Sequence, residues 1–246
     1  MRFYRYRETD STNERALDAF ENGLGRDGDV HQALTQTKGR GRYGRPWESG
    51  SAEGLWLSFV SAPPPPPPRP EAITVAAGLA LLEAVQDSGA AGISLKWPND
   101  LMAGDAKLAG ILVESRGFRP KAPHFVVGFG LNIAQRSFSE ALTQERAVTS
   151  LFLLGIDTSW QEMEAKLLEH LPRRLEQARL APLPLFTEYF EVTSLVGARV
   201  QVQSGSKGYE GKLLGLTPNF ELRLHQAEGE EKRLPIAHVA ALVTQR

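Results

Sequence analysis

The segment QTKGRGRYGRPW, Gln36 to Trp47, interrupts an otherwise regular apolar patterning, and the reading of the chain turns on it. It carries Lys38, Arg40, Arg42 and Arg45 without an acid, glycines at Gly39, Gly41 and Gly44, and one large ring, Trp47. Glycine loses the most backbone entropy in a regular element, and like charges repel. The segment therefore reads as a mobile cationic loop awaiting an anion. A phosphate-bearing ligand would supply that anion. Two other readings stand beside it, a solvated basic loop and a nucleic-acid patch of the RGG type.

Working outward, Val30 to Thr37 and Gly54 to Ser61 read as strands on either side of the loop. Upstream, Phe3 to Glu8 alternates aromatic and charged residues, giving a strand with one buried face. A helix follows in DSTNERALDAFENG, where Ser11 and Glu14 have capping-box spacing and Gly23 is placed to end it. Downstream, the prolines Pro63 to Pro68 cannot donate to a ladder and read as a stiff surface connection. Glu71 to Gln86 is apolar on most sides, as expected of a helix crossing a sheet face. Ile93 to Trp97, Ala106 to Ser115 and Phe125 to Gly130 read as further strands, and Thr149 to Leu154 as a short helix. Ser159 and Glu162 open a helix to about Arg179, with a kink or break expected at Pro172, and Leu183 to Glu191 reads as one more helix. From Thr193 onward the texture changes to short alternating runs separated by turn residues, the pattern of a small five-stranded barrel. The expected domains are therefore 1–192 and 193–246.

Composition narrows the function. The 246 residues, 41% apolar, suffice for one large domain or a large and a small one. Lys plus Arg (28) nearly balance Asp plus Glu (29), so no global positive field of the nucleic-acid-binding kind is expected. With no cysteine, disulfides, thiolate nucleophiles and cysteine zinc sites are excluded, and the five histidines show no i, i+4 pair. No leader-like start or membrane-length apolar run is present, so the expectation is a soluble cytoplasmic protein without membrane or nucleic-acid partners.

Four polar clusters fall where strands end, the place open sheets build ligand sites. Ser11, Thr12 and Asn13 can satisfy a small polar ring, although an N-cap explains Ser11 alone. Lys96, Asn99 and Asp100 leave a strand in KWPND. Lys107 stands at a buried strand's mouth in KLAGILVE, where Gly110 marks a close approach to backbone. GFGLN ends in Asn132. Cations, one carboxylate and amides, with no nucleophile or metal triad, form an inventory for binding phosphates around Mg²⁺ and reacting by positioning and electrostatics.

In this order DSTN, QTKGRGRYGRPW, GLWLSF, KWPND, KLAGILVE and GFGLNI resemble the motif set of the biotin protein ligases, over roughly residues 9 to 133. The resemblance implies an α+β fold, a central mixed sheet flanked by helices like that of class II aminoacyl-tRNA synthetases, plus a C-terminal SH3-like barrel. It implies that biotin and MgATP give biotinyl-5′-adenylate, whose acyl group passes to a lysine of a biotin carboxyl carrier domain of acetyl-CoA carboxylase or a related carboxylase. By position it places Ser11, Thr12, Asn13, Gln36, Gly39, Arg40, Lys107 and Gly110 on biotin. Arg40, Arg42, Arg45, Trp47, Lys96, Asn99 and Asn132 fall on ATP or the adenylate, and Asp100 on the metal. Lys107, Arg42 and Arg45 carry the catalytic roles. Tyr43 stands where many members have another arginine. The chain opens at the first catalytic strand, which matches the monofunctional class without a DNA-binding domain, and exposed strand edges would let two subunits pair as a homodimer. A lipoate-type ligase of the same superfamily is the nearest rival, and a non-catalytic nucleic-acid-binding protein the rival of another class.

Overall fold

The structure, a computed structural model, describes residues 1–50, 52–117, 123–227 and 229–244. Strand β1 (Arg2–Thr9) alternates half-buried and exposed positions, as its aromatic and charged residues require. It leads through helix α1 (Thr12–Glu21) to β2 (Asp29–Gln36), which pairs with it in parallel. β3 (Gly54–Ser61), β5 (Asp100–Ala103), β6 (Ala106–Glu114) and β7 (Phe125–Asn132) form the middle of the sheet, and β4 (Ile93–Lys96) one edge. The order is β1-β2-β3-β7-β6-β5-β4, with every pair after the first antiparallel. The sequence reading missed β5, because four residues after a proline turn leave little periodicity to find.

Two different layers cover the sheet. Helix α2 (Pro70–Gln86) has Pro70 at its first turn, where the missing N–H costs nothing, and buries twelve residues. It packs against helix α4 (Trp160–Leu180), with α5 (Pro182–Val192) alongside. α4 begins at the expected capping box, Glu162 N–H donating to Ser159 Oγ at 3.2 Å and Ser159 N–H to Glu162 at 2.8 Å. The break expected at Pro172 does not occur, and α4 runs through it as one helix held by Leu167, Leu171 and Leu175 in the core. Among the described residues the other face carries one helix, α1, through Ala16 and Leu17 on Val60 and Val126. A six-residue helix α3 (Glu140–Glu145), not foreseen, follows β7. Only Phe152–Leu154 of the expected helix at Thr149 to Leu154 forms, as one 3-10 turn.

The C-terminal strands β8 (Arg199–Ser204), β9 (Lys207–Leu216), β10 (Glu221–His225), β11 (Glu231–Pro235) and β12 (Val239–Thr244) make an antiparallel sheet in the order β11-β10-β9-β8-β12, consistent with an SH3-like domain. Its buried Leu213, Leu222 and Leu242 join the same hydrophobic core as Phe186 and Tyr189 of α5. Trp97 Nε1 donates to Val239 O at 2.9 Å, tying the turn after β4 to this sheet. Among the described residues no helix is long and apolar enough to cross a membrane.

Candidate functional site

Two adjoining cavities open above β6 and β7. The first, about 340 Å³, is lined among others by Ser11, Thr12, Asn13, Gln36, Arg42 and Gly110, with Ala240 and Ala241 from β12. The second, about 260 Å³, has Asn132, Gln135 and Ser139 in its wall. Pro46, Trp47, Lys107 and Arg146 border both. The glycines flagged in the sequence are the floor. A Cβ at Gly130 would lie 2.5 Å from the Trp47 ring, one at Gly110 2.9 Å from it, and one at Gly128 2.3 Å from Asn13 Oδ1. Only glycine permits these approaches.

One wall of the first cavity is a network of neutral side chains, anchored to the Glu114 carboxylate through Asn13. Thr12 N–H donates to Gln36 Oε1 at 2.8 Å, and Gln36 Nε2 to Ser49 Oγ at 3.1 Å. Ser58 Oγ reaches Thr12 Oγ1 at 2.7 Å and also donates to Asn13 Oδ1. Ser11 is the residue before α1 but its side chain makes no capping hydrogen bond, so the expected capping box is absent. Glu14 has turned away to Arg40 at 2.8 Å and Arg116 at 2.5 Å, since two guanidinium groups outbid one backbone N–H. Arg116 first, and then Arg40, holds the Glu14 carboxyl below the usual carboxylate range against the opposing effect of burial.

The arginine loop is folded. Gly41 N–H donates to Arg45 O at 2.7 Å and Trp47 N–H to Gly39 O at 2.9 Å, Arg40 bridges to Pro46, and Arg42–Gly44 form a 3-10 turn with Tyr43 at φ 59°. The sequence reading expected the loop to wait for an external anion. The chain supplies its own, because Arg40 pairs with Glu14 and with Glu114 at 3.1 Å. Arg42 reaches Asn99 Oδ1 at 3.3 Å and Tyr43 OH at 3.0 Å, while Arg45 borders the first cavity. Gly39 lies under the loop, where a Cβ would meet Ser49 Oγ at 2.4 Å.

At the junction, Lys107 Nζ is 2.6 Å from Asp100 Oδ1 and 5.2 Å from the centre of the Trp47 ring. Tyr189 lies below, its phenol pushed up by burial and then by Asp100. Asp100 is thus the counterion of Lys107, where the resemblance placed a metal ligand. Among the described residues no three His, Asp or Glu side chains gather as a metal cage. Asn132 Nδ2 donates to Thr149 O at 2.9 Å in the second cavity. Lys96 borders neither cavity. Its strand neighbour Leu95 is buried in the core, so alternation along β4 turns Lys96 outward to solvent.

Residues 6–132 match the Biotin/lipoate A/B protein ligase family. The chain belongs to this family. It is 33% identical over 220 residues to the bifunctional ligase/repressor BirA of Escherichia coli, covering 88% of this chain and 67% of that protein. It is 36% identical over 204 residues to a biotin–acetyl-CoA-carboxylase ligase of Mycobacterium tuberculosis, covering 80% and 72%. Its fold superimposes on the biotin protein ligase of Aquifex aeolicus in complex with biotin and ATP with TM-score 0.79 at 26% identity, over 99% of both chains. The architecture is therefore the biotin ligase catalytic fold.

Several side chains around these cavities carry no functional signal in the sequence. Ser49 and Ser58 are single hydroxyls in unremarkable strand and loop contexts, and Glu14 had a capping role available. Glu114 ends the KLAGILVE motif, and nothing local links it to Arg40, 74 positions away. Arg146, just beyond α3, and Ala240 and Ala241 had no signal at all.

Proposed function

We propose that this chain is a biotin protein ligase. A biotin carboxylate oxygen attacks the α-phosphorus of ATP, the bond to pyrophosphate breaks, and biotinyl-5′-adenylate forms. The amine of a carrier lysine then attacks the acyl carbon and AMP leaves. The observation that supports this reading best is Lys107 standing in the walls of both cavities, where a carboxylate from one would meet a phosphate from the other. Ser11, Thr12, Asn13 and Gln36 offer neutral donors and acceptors to the ureido ring, with Gly39, Arg40 and Gly110 shaping that end. Trp47, Asn99 and Asn132 take the nucleotide side.

Lys107, Arg42 and Arg45 stabilise phosphate charge as it develops, each charge-assisted hydrogen bond contributing about 1.5–3 kcal/mol, or one to two powers of ten in rate. Closure of the loop keeps water from the mixed anhydride. Magnesium brought in on the nucleotide would supply further charge neutralisation. We assign 1–192 as the catalytic domain and 193–246 as a C-terminal domain that closes the first cavity through Ala240 and Ala241. The acceptor is the carboxyl carrier domain of a biotin-dependent carboxylase, in the cytoplasm. The test is ATP–pyrophosphate exchange with biotin and with lipoate. Exchange driven by biotin alone is expected, and exchange driven by lipoate alone would overturn the assignment.

A further inference from the structure

Arg40 ends in an acidic clasp that the reaction as described does not use. Its Nη1 lies 2.8 Å from Glu14, and its Nε and Nη2 reach the Glu114 carboxylate at 3.1 to 3.3 Å. Glu114 has a second partner, for its Oε2 also accepts from Asn13 Nδ2 at 2.8 Å. Asn13 in turn receives the Ser58 hydroxyl and presses on Gly128. One carboxylate at the end of β6 therefore holds both the arginine loop and the polar wall of the first cavity. Glu14, the other jaw, is also held by Arg116. The Arg40 and Glu114 side chains are about three-quarters covered, 28% and 27% exposed, so the pair is screened less than an ordinary surface ion pair.

We infer that Glu114 is a positioning residue that couples the biotin cavity to closure of the arginine loop, acting through Arg40. The inference rests on the ligase reading above. With Glu114 in place, Arg40 is satisfied at the cavity rim by the chain itself. The rest of the loop stays folded on the sheet, leaving Arg42 and Arg45 to meet phosphate. Because the same carboxylate fixes the Asn13 amide, a ligand that orders Asn13 also orders the clasp. Without it, Arg40 keeps only Glu14, and the loop's hold on a bound adenylate weakens.

The experiment compares the full chain with Glu114→Gln, Arg40→Gln and the double variant. It reads the dissociation rate of preformed biotinyl-adenylate without carrier, biotinylation of a bystander protein's lysines, and the KM for biotin. Glu114→Gln is expected to speed adenylate loss about tenfold, a change of about 1.4 kcal/mol, and to raise bystander labelling, with the KM for biotin within about twofold. The double variant should be no faster than the faster single one, the signature of two residues acting as a unit. An unchanged off-rate in Glu114→Gln, or additive effects in the double variant, overturns the inference. Should Glu114→Gln fail to fold, the exchanged pair Arg40→Glu with Glu114→Arg reports the same coupling. A slow off-rate restored relative to Arg40→Glu alone supports it, and no restoration overturns it. Wild-type exchange with biotin is measured first. Its absence removes the ligase reading and this inference together, whereas exchange with unchanged off-rates removes only the clasp.

Discussion

The polar wall of Ser11, Thr12, Asn13 and Gln36 and the loop from Arg40 to Trp47 line the same cavity, yet different forces hold them. Ser11, Thr12 and Asn13 are each only 4% exposed, and their side chains meet mostly neutral partners, Gln36 and Ser58, with Glu114 as the one carboxylate that a wall side chain reaches, through Asn13. The loop is held by ion pairs reaching outward to Glu14 and Glu114 and by a few backbone hydrogen bonds. Buried neutral bonds do not respond to salt, whereas partly exposed ion pairs are screened. On the proposed function, recognition of a neutral ring is built into the sheet, and retention of a charged intermediate is delegated to a part that can be adjusted or opened.

The largest expected effect lies where the two regions meet. Lys107→Ala should lower biotin-dependent pyrophosphate exchange by about 100-fold or more, as loss of a strong charge-assisted contact implies. Its thermal midpoint should stay near that of the wild type, because Asp100 is 25% exposed and can rehydrate. Normal turnover would remove Lys107 from the reaction.

Paired glycine substitutions then separate wall from loop. In Gly128→Ala the new methyl intrudes on Asn13 and should raise the KM for biotin, while in Gly130→Ala it intrudes on Trp47 and should raise the KM for ATP. Overpacking of about 1–3 kcal/mol makes either change tenfold or somewhat more. Equal effects on both substrates from either variant would erase the distinction. Arg42→Ala should leave the affinity for biotin unchanged and speed adenylate release by about tenfold. An unaltered off-rate would show that the loop cation does not hold the intermediate.

Raising ionic strength to about 1 M, where the screening length is ~3 Å, should speed adenylate release a few-fold and leave the Kd for biotin within about twofold. A parallel loss of both would mean that the wall depends on charge as well. The smallest effect is expected at Tyr43, 78% exposed at φ 59°. Tyr43→Gly relieves a left-handed conformation costing about 1 kcal/mol, so calorimetry should show an equal or slightly higher thermal midpoint.

These regions also differ in how much of them the sequence disclosed. Strands β1 to β3, helices α2 and α4, and the five C-terminal strands could be read because periodicity and turn residues are local signals. Gly110 and the GFG of β7 were legible as places of close approach, although what approaches, Trp47 and Asn13, was not. The clasp was invisible, because Glu14 and Glu114 meet Arg40 only once α1 and β6 are folded together. For the same reason the loop was expected to be mobile, and Ser11 and Glu14 were expected to bond to each other. Lys96 is the converse case, a charged residue inside a strong motif that strand alternation points to solvent.

The central claim is that carboxylate and phosphate meet at Lys107, between a neutral wall and a charged loop. A crystal structure with biotin and a non-hydrolysable ATP analogue tests it most directly. The ureido ring should lie against Ser11, Thr12 and Gln36, the base should lie in the cavity of Asn132, and Lys107 Nζ should be within hydrogen-bond distance of both the biotin carboxylate and the α-phosphate. Biotin in the Asn132 cavity, or Lys107 still bound to Asp100 and touching neither ligand, would contradict it.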